Sequence, residues 1–408
     1  MITDPAAIFF VLATVVAVAI VLELRTKFFG ALGSALVAIL TGMLLSNTGL
    51  IPGESSAYTF LGGPAVSAGI VLILLTVDVR SVMAAGPRML AAFGIGAAGS
   101  AVGASVSALL LADSIGPETW KLAGQYTATY TGGGVNFAAV GAALDTSGEL
   151  FSAGIAADVT MTAIWMATCL TVPILFAGRS NGAANESGGG EGGATGSVEP
   201  AGADADEDDV ESSAGAATVA ESATLHRLLY SSVGAIDLQG LGLMVAVVLG
   251  TLWASDVLGA LFSPIPSVLF LTTIALLLAQ VPAIRGLRGA GVMGNYLILL
   301  FLSSNGAMSV IANIVVIGPP IVYFALATVS VHGLVIFGFG RLVGLDLKTL
   351  AVASQACVGG PASAMALATA RGYTDRLLPG VAVGLLGYAA GNYLGFAVAA
   401  VVRGLIGG

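Results

Sequence analysis

Long apolar runs separated by short polar turns fill nearly the whole chain. Because about 20 apolar residues cross the hydrocarbon core of a bilayer, each long run predicts a transmembrane helix. The runs form two groups of five, near 6–24, 28–45, 58–77, 88–112 and 151–176, and then near 236–258, 264–281, 290–311, 318–340 and 378–404. This pattern predicts an all-α polytopic membrane protein.

One more segment in each group is apolar but interrupted by glycines, at 120–144 and 349–370. The pair Gly133-Gly134 in the first recurs as Gly359-Gly360 in the second, and Gly154 matches Gly380 at the same offset. The chain is therefore predicted to contain two repeats, each with about five spans and one glycine-broken or re-entrant segment. Broken segments at corresponding positions of two halves are the sequence feature that best marks the substrate site of a secondary transporter.

The basic residues predict how the broken segments lie. If the N-terminus is outside and both broken segments enter and return on one side, twelve of the 14 Lys and Arg residues face the cytoplasm, as the positive-inside bias requires. If both segments crossed instead, Arg285 and Arg288 would move outside. We therefore favour re-entrant segments, and a crossing helix requires that another span is miscounted. An odd number of crossings per half then inverts the second repeat relative to the first.

Composition agrees with a membrane protein and locates the acidic charge. The chain is 57% hydrophobic and 9% charged, and its net charge is −9. The stretch 180–222 alone contains ten acidic residues and no aromatic residue, so it cannot bury enough apolar surface to fold. The predicted organisation is an N-terminal membrane repeat at 1–178, a disordered acidic linker at 179–229 and a C-terminal membrane repeat at 230–408. We interpret the linker as a solvating spacer, with a regulatory or partner-binding role as the alternative.

The two glycine breaks are the candidate substrate site. Unpaired backbone groups are costly in a bilayer, so a broken helix must face protein or a wet cavity. A helix that starts after a break directs its N–H groups and positive dipole end into that cavity, which favours an anion. Close helix packing and interhelical hydrogen bonds are the alternative roles for glycines and polar residues here. The candidate substrate-binding residues are Thr131, Gly132, Gly133, Gly134, Asn136, Gln355, Gly359, Gly360 and Ser363.

Asp158 is the most informative single residue, because it lies in an otherwise apolar span, about 10 Å from its start. A carboxylate inside a membrane is costly and is by default functional. We predict that it couples transport to a proton or a sodium ion, together with Asn136 and Asn392. A purely structural, hydrogen-bonded carboxylate is the alternative.

Three further polar residues are predicted to contact the binding residues rather than the ligand, namely Gln125, Asp78 and Asn305. For Asp78 the alternative is an interfacial ion pair with Arg80. His332 stands alone in an apolar helix and is interpreted as a hydrogen-bonded core residue rather than a proton relay.

The sequence lacks motifs for catalysis. It contains no HExxH pair, P-loop, GxGxxG fingerprint or GxSxG elbow in a credible context, and its two cysteines have no zinc-binding spacing. We therefore expect no enzyme activity, no cofactor, no nucleic-acid partner and no metal other than a coupling sodium ion.

Several motifs carry a resemblance to a known family. They are Tyr130 to Val140, Ala156-Ala157-Asp158, Val358 to Ala362, and Gly387 to Gly395 with its Gly-Asn-Tyr-Leu-Gly sequence. They resemble the prokaryotic and plastid membrane family called domain of unknown function 819, over nearly the whole chain except the acidic linker. That family is similar to the superfamily of cation/proton antiporters, bile-acid sodium symporters and glutamate sodium symporters. The resemblance implies inverted repeats, a scaffold domain, a core domain with broken helices and elevator-like alternating access.

One departure from the resemblance concerns coupling. Sodium/proton antiporters of the superfamily carry paired acidic residues or Asn-Asp after the first broken helix, whereas this chain has Ala157-Asp158. The missing partner argues against antiport by that chemistry.

The predicted function is an ion-coupled secondary transporter of a small anionic organic solute. The alternatives are a cation/proton antiporter without an organic substrate and a membrane receptor or scaffold that does not transport. The expected partners are the solute, the coupling ion, the lipid bilayer and, by resemblance, a second copy in a homodimer. We expect a multi-pass protein of the inner cell membrane with its N-terminus outside and the acidic linker in the cytoplasm.

Overall fold

The computed structural model describes residues 2–184, 237–262 and 265–406, and the regular structure in these ranges is entirely helical. The first half contains α1 (Pro5–Arg25), α2 (Lys27–Asn47), α3 (Ser56–Leu74), the short α4 (Val79–Ala84), α5 (Pro87–Ile115), α6 (Thr119–Gly132), α7 (Gly134–Ala143) and α8 (Gly148–Ala184). The second half contains α9 (Leu238–Leu261), α10 (Ser267–Ala279), the short α11 (Pro282–Arg285), α12 (Ala290–Ala307), α13 (Ile311–Gly333, continued by Leu334–Phe339 and Gly340–Leu342), α14 (Leu347–Ala370) and α15 (Thr374–Ile406).

The helices begin where the sequence supplies a capping side chain. Asp4, Thr26, Asp237 and Asp346 each accept a hydrogen bond from a backbone N–H in the first turn of α1, α2, α9 and α14. These side chains satisfy donors that have no partner within the helix. The polar residues between apolar runs therefore set where the helices start.

Eight helices of the described part are long and apolar enough to cross a membrane, while α10 and the part of α2 beyond Gly33 are shorter. The prediction of an all-α polytopic membrane protein is confirmed. The predicted acidic linker lies outside the described residues, except that 179–184 continue α8.

Contacts between distant residues define two ends of the helix bundle. At the first end, the Ile2 N–H donates to the Leu50 carbonyl at 2.8 Å, and the Asn47 amide donates to the Ser309 carbonyl at 2.8 Å. At the second end, Arg285 forms an ion pair with Asp78 at 2.7 Å. α1, α3 and α8 start at the first end, whereas α9 and α12 start at the second.

The segment α6–α7, called the first hairpin, enters the bundle and returns to the same end. The Lys121 ammonium at the start of α6 donates to the Asp145 carbonyl after α7 at 2.6 Å. The Ser147 N–H donates to the Glu118 carboxylate at 3.2 Å. A straight helix would separate positions 121 and 145 by about 36 Å. The first broken segment therefore folds back at Gly133 and has its base at the first end.

The helix α14, called the second hairpin, bends at Gly360, whose φ of 75° and ψ of −169° are non-helical. The Arg376 guanidinium donates to the Thr349 hydroxyl at 2.8 Å, so the start of α14 lies beside the start of α15 and hence beside the end of α14. The preceding helix α13 starts next to Asn47 at the first end and runs for about 45 Å. The second hairpin therefore has its base at the second end, although the length of α14 alone would suit a crossing helix.

The helices pack in two groups. Both hairpins pack against α15 and α5, and α13 packs against α5 and α8, so these helices form one group around the hairpins. The other group contains α1, α2, α3 and α12, with buried side chains such as Ile8, Leu12 and Val16 at its centre. Contacts of α8 with α2 and α12, and of α3 with α7, join the groups.

Candidate functional site

The two hairpins meet at their glycine breaks. Gly133, with φ 92°, and Gly360, with φ 75°, both have a backbone conformation that disfavours a side chain. A Cβ on Gly133 would lie 3.3 Å from the Gly360 Cα, and a Cβ on Gly360 would lie 3.2 Å from the Gly132 carbonyl oxygen. The tips thus touch backbone to backbone, and glycine is needed for both conformation and space.

Helix α15 packs across the touching tips with glycines at its contact surface. A Cβ on Gly384 would lie 2.7 Å from Pro361, and a Cβ on Gly387 would lie 2.7 Å from the Gly132 Cα. Small residues of this kind let backbones approach closely in membrane proteins. Close helix packing, the alternative role for glycines in these segments, therefore accounts for the glycines of α15. It does not account for the positive φ of Gly133 and Gly360 at the tips.

Asn136 ties the first hairpin to α15. Its buried amide nitrogen donates to the Gly387 carbonyl at 2.8 Å and to the Ala128 carbonyl at 3.4 Å. It also lies against Gly391. The predicted substrate and ion residue is thus placed at the tips, where its nitrogen holds three backbone segments together.

Asp158 lies directly beside the break of the first hairpin. Its side chain is 3% exposed, and one oxygen accepts a hydrogen bond from the Thr129 hydroxyl at 3.2 Å. The other oxygen lies 3.7 Å from the position of a Cβ on Gly134, the first residue of α7. Among the described residues no Lys or Arg forms an ion pair with it. Its charge is offset by a hydroxyl and by the positive end of a helix.

Several buried polar atoms near the tips have no hydrogen-bond partner in the described structure. They are the Thr127 hydroxyl, the Tyr130 hydroxyl, and both the nitrogen and the oxygen of the Gln355 amide. Such groups are rare in folded proteins, because an unpaired buried polar group loses its hydration without compensation. In contrast, Gly134 is exposed and Ser363 is partly exposed, so surface remains at the start of the second leg of each hairpin.

The remaining predicted site residues each have at least one hydrogen-bond partner. The Thr131 hydroxyl donates to the Thr127 carbonyl of its own helix at 2.7 Å. The Gln125 amide nitrogen donates to the Thr146 hydroxyl at 2.9 Å between the legs of the first hairpin, near its base, while its oxygen has no described partner. The Asn392 amide donates to the Thr272 hydroxyl of α10 at 3.3 Å, while its oxygen has no described partner.

Two supporting residues lie elsewhere. Asp78 caps α4 through the Arg80 N–H and forms an ion pair with Arg285 at the second end, so the structure does not bring it to the tips. The Asn305 amide donates to the Phe301 carbonyl of its own helix at 3.2 Å. Asp78 and Asn305 each lie near the end of an apolar helix. This similar position in the sequence was the reason for predicting that both support the site.

Sequence reasoning missed a buried polar network that joins the hairpins. His332 Nδ1 lies 2.9 Å from the Gly96 carbonyl, which can only accept, so Nδ1 carries the hydrogen and Nε2 accepts from the Ser354 hydroxyl at 2.9 Å. Ser100 contacts the same Nδ1 at 3.0 Å and donates to the Tyr130 carbonyl. Trp165 also donates to Ser354 at 2.9 Å.

This network supplies a hydrogen-bond partner for a backbone carbonyl that the break in the first hairpin removes from the helix. Tyr130 has a non-helical ψ of 15°, so its carbonyl leaves the helix ladder and accepts from Ser100 instead. The same chain of bonds reaches Ser354, next to Gln355 in the second hairpin. His332 is a bonded core residue, as interpreted, and it links both tips. The only sequence signal was one isolated polar residue in each of four apolar spans.

Carboxylates fasten the base of each hairpin outside the apolar region. Burial alone would raise the pKa of Glu118, but hydrogen bonds from Lys121 and Ser147 outweigh it and hold the pKa below its usual value. Burial likewise acts to raise the pKa of Asp346, but hydrogen bonds from Thr349 and the charge of Arg376 lower it overall. Both groups are therefore ionised at neutral pH.

An open crevice lies at the first end, between α3 and the base of the first hairpin. Its volume is about 780 Å³, and its lining includes Glu54, Tyr58, Gly62, Asp145 and Met308. It separates residues of the two helix groups. Among the described residues no three His, Cys, Asp or Glu side chains cluster as a metal site.

Comparison with known proteins places the chain in a family. It is 29% identical over 385 residues to the uncharacterized membrane protein YjcL of Bacillus subtilis (strain 168), covering 93% of this chain and 92% of that protein. The family model described as protein of unknown function (DUF819) matches residues 10–405. The broken-hairpin protein described above is a multi-pass membrane protein that belongs to the DUF819 family.

Proposed function

We propose that this protein is an ion-coupled secondary transporter of a small anionic organic solute. The observation that carries the proposal is the meeting of two re-entrant hairpins, based at opposite ends of the bundle, at Gly133 and Gly360. Irregular backbone at membrane depth is tolerated only where protein or a wet cavity satisfies it. In secondary transporters, half-helix ends of this kind bind the solute and the coupling ion.

Asp158 is the proposed coupling residue. Its carboxylate has only a hydroxyl and a helix end to offset its charge, so a sodium ion or a proton would complete the site. Oxygen ligands are available from Asp158 and Thr129, and such ligands suit hard cations. Binding of a cation there would remove the cost of a buried, unpaired charge.

The two halves act as inverted repeats in this proposal, and the hairpin group is the moving element. The opposite hairpin bases and the separate packing of α1, α2, α3 and α12 support this arrangement. The crevice at the first end lies between the groups and supports access from that side. Differential binding of a few kcal/mol is enough to shift such a two-state equilibrium.

The test measures thermal stability of the full-length protein in detergent, in sodium and in choline chloride, for the wild type and Asp158→Asn. A ligand that binds only the folded state raises the unfolding midpoint with its concentration. We expect sodium to shift the midpoint of the wild type and not that of the variant; for a coupling proton, we expect the midpoint to depend less on pH in the variant, because only the contribution of Asp158 is lost. An equal response in both proteins contradicts the proposal.

Flux measurements on reconstituted vesicles separate the alternatives. Solute uptake driven by the ion gradient supports the symporter. Cation-for-proton exchange without any solute would identify an antiporter instead, and ligand binding without flux would identify a receptor or scaffold.

A further inference from the structure

The second hairpin contains a buried side chain with nothing to bond. Gln355 is 0% exposed, and neither the nitrogen nor the oxygen of its amide has a partner in the described structure. A buried amide that loses its hydration without compensation destabilises the folded chain. Replacing it with an apolar residue of similar size would remove this cost, so its presence calls for another role.

Gln355 points toward the start of the second leg of α14. Its Nε2 lies 2.8 Å from the position of a Cβ on Gly359, and the Ser363 hydroxyl lies still closer to the same point. The Ser363 hydroxyl makes no hydrogen bond to the described part of the chain, and Ser363 is partly exposed. The absence of a side chain at Gly359 therefore lets the Gln355 amide and the Ser363 hydroxyl pack close together against its backbone, where a Cβ would collide with both.

The start of the second leg of α14 lies beside these two polar groups. The second leg, 361–370, starts after the non-helical Gly360 and begins with Pro361, which suits the first turn of a helix. The N-terminal end of such a helical leg carries partial positive charge. At the corresponding end of α7, one oxygen of the Asp158 carboxylate lies 3.7 Å from the position of a Cβ on Gly134. The negative charge of a second carboxylate is disfavoured there, so the start of the second leg of α14 is the better place for an anion.

We propose that Gln355, Ser363 and the start of the second leg of α14 form a subsite for the carboxylate of the transported solute. This assignment rests on the proposed transporter function and deepens it, because it separates the two ligands. The cation binds at Asp158 on the first hairpin, and the carboxylate binds on the second hairpin. The chemical class of the solute is then a small organic acid.

The first test needs no ligand. Gln355→Leu removes two unpaired buried atoms at nearly constant volume, so it should raise the unfolding midpoint of the ligand-free protein by about 2 °C or more. The matched control is Gln125→Leu on the first hairpin, whose amide oxygen is also unpaired but whose nitrogen donates to Thr146 at 2.9 Å; loss of that bond should lower the midpoint. A midpoint that falls in Gln355→Leu as in the control would overturn the subsite, because it would show that Gln355 has a structural partner.

The second test compares acids with their amides. Lactate and lactamide, and succinate and succinamide, are added to the detergent-purified wild type in the presence of sodium. We expect at least one acid to raise the midpoint and its amide not to, and we expect Gln355→Leu and Ser363→Ala to lose this shift. A panel in which no acid exceeds its amide, or a shift that survives both substitutions, overturns the subsite.

The sodium response and ion-driven solute uptake distinguish failure of the subsite from failure of the proposed transporter function. If the subsite is wrong but the transporter function is right, the sodium response persists in Gln355→Leu and depends on Asp158. If the transporter function is wrong, ion-driven solute uptake is absent from wild-type vesicles as well.

Discussion

At the scale of residues, the unusual features lie at the hairpin tips. Asp158 is a buried carboxylate without a cation partner in the described chain, and Gln355 is a buried amide without any partner. Isolated polar residues elsewhere have ordinary explanations. His332 is fully bonded, and Asn305 bonds to its own helix. Buried polar side chains that lack a partner and therefore cost stability are typical of functional sites.

The carboxylates at the hairpin bases predict a pH dependence of stability. The folded-state pKa values of Glu118 and Asp346 lie below their usual values, so their contribution is present above the usual carboxyl pKa and is lost as the pH falls through the lowered values. Asp346→Asn keeps the helix cap but removes the charge facing Arg376. It should therefore cost about 0.5 kcal/mol at neutral pH, the size of a solvent-screened ion pair.

The measurement is the unfolding midpoint of the wild type and Asp346→Asn from neutral pH to about pH 3, below the usual carboxyl range. The gap between the two proteins should close as the wild-type carboxylate becomes protonated. A gap of constant size over the whole range would contradict the assignment.

At the scale of elements, the structure depends on two sharp bends within apolar segments. Each bend uses a glycine with positive φ, and the two backbones touch there. A residue with a Cβ would be strained in this conformation and would also push against the other hairpin. The close approach, rather than the bend alone, is what makes the tip positions intolerant of substitution.

Gly133→Ala and Gly33→Ala separate these two effects. Both glycines have positive φ, 92° and 76°, but a Cβ on Gly33 would have no atom within 4 Å, whereas a Cβ on Gly133 would lie 3.3 Å from Gly360. We expect Gly33→Ala to cost about 1–2 kcal/mol for the conformation alone. Gly133→Ala should cost more and should also reduce the response to sodium. Equal midpoints and equal sodium responses in the two variants would contradict the contact between tips.

Much of this organisation was predictable from the sequence. The apolar runs gave every long helix, because a bilayer fixes the length of a crossing segment. The recurrence of Gly133-Gly134 as Gly359-Gly360 gave the position of both bends. The partners of polar residues could not be predicted, because they lie on other helices. Asp78 pairs with Arg285, 207 positions away along the chain, and Ser100 connects to His332 across two halves.

At the scale of the whole molecule, the two hairpins enter from opposite ends and share one contact at their tips. Their bases are fastened separately, the first by Glu118 and Lys121 and the second by Asp346 and Arg376. Each end of the bundle therefore has its own hairpin leading to the same place. In the proposed transporter, this arrangement would give each side of the membrane its own route to one site, as alternating access requires.

The most direct test of this account is the sidedness of labelling at the tips. The chain has only two cysteines, Cys169 and Cys357, and both are buried, so replacing them by alanine gives a background for single cysteines. Ala362→Cys places a thiol at the partly exposed tip, while Lys121→Cys and Lys348→Cys place one at each hairpin base. The reagent is a membrane-impermeant maleimide applied to either side of membranes of known orientation.

We expect Lys121→Cys to be labelled only from outside and Lys348→Cys only from inside. Ala362→Cys should be labelled from both sides, and sodium should change the ratio of the two labelling rates. Labelling of both base positions from the same side, or of the tip from one side only under every ionic condition, would contradict this account.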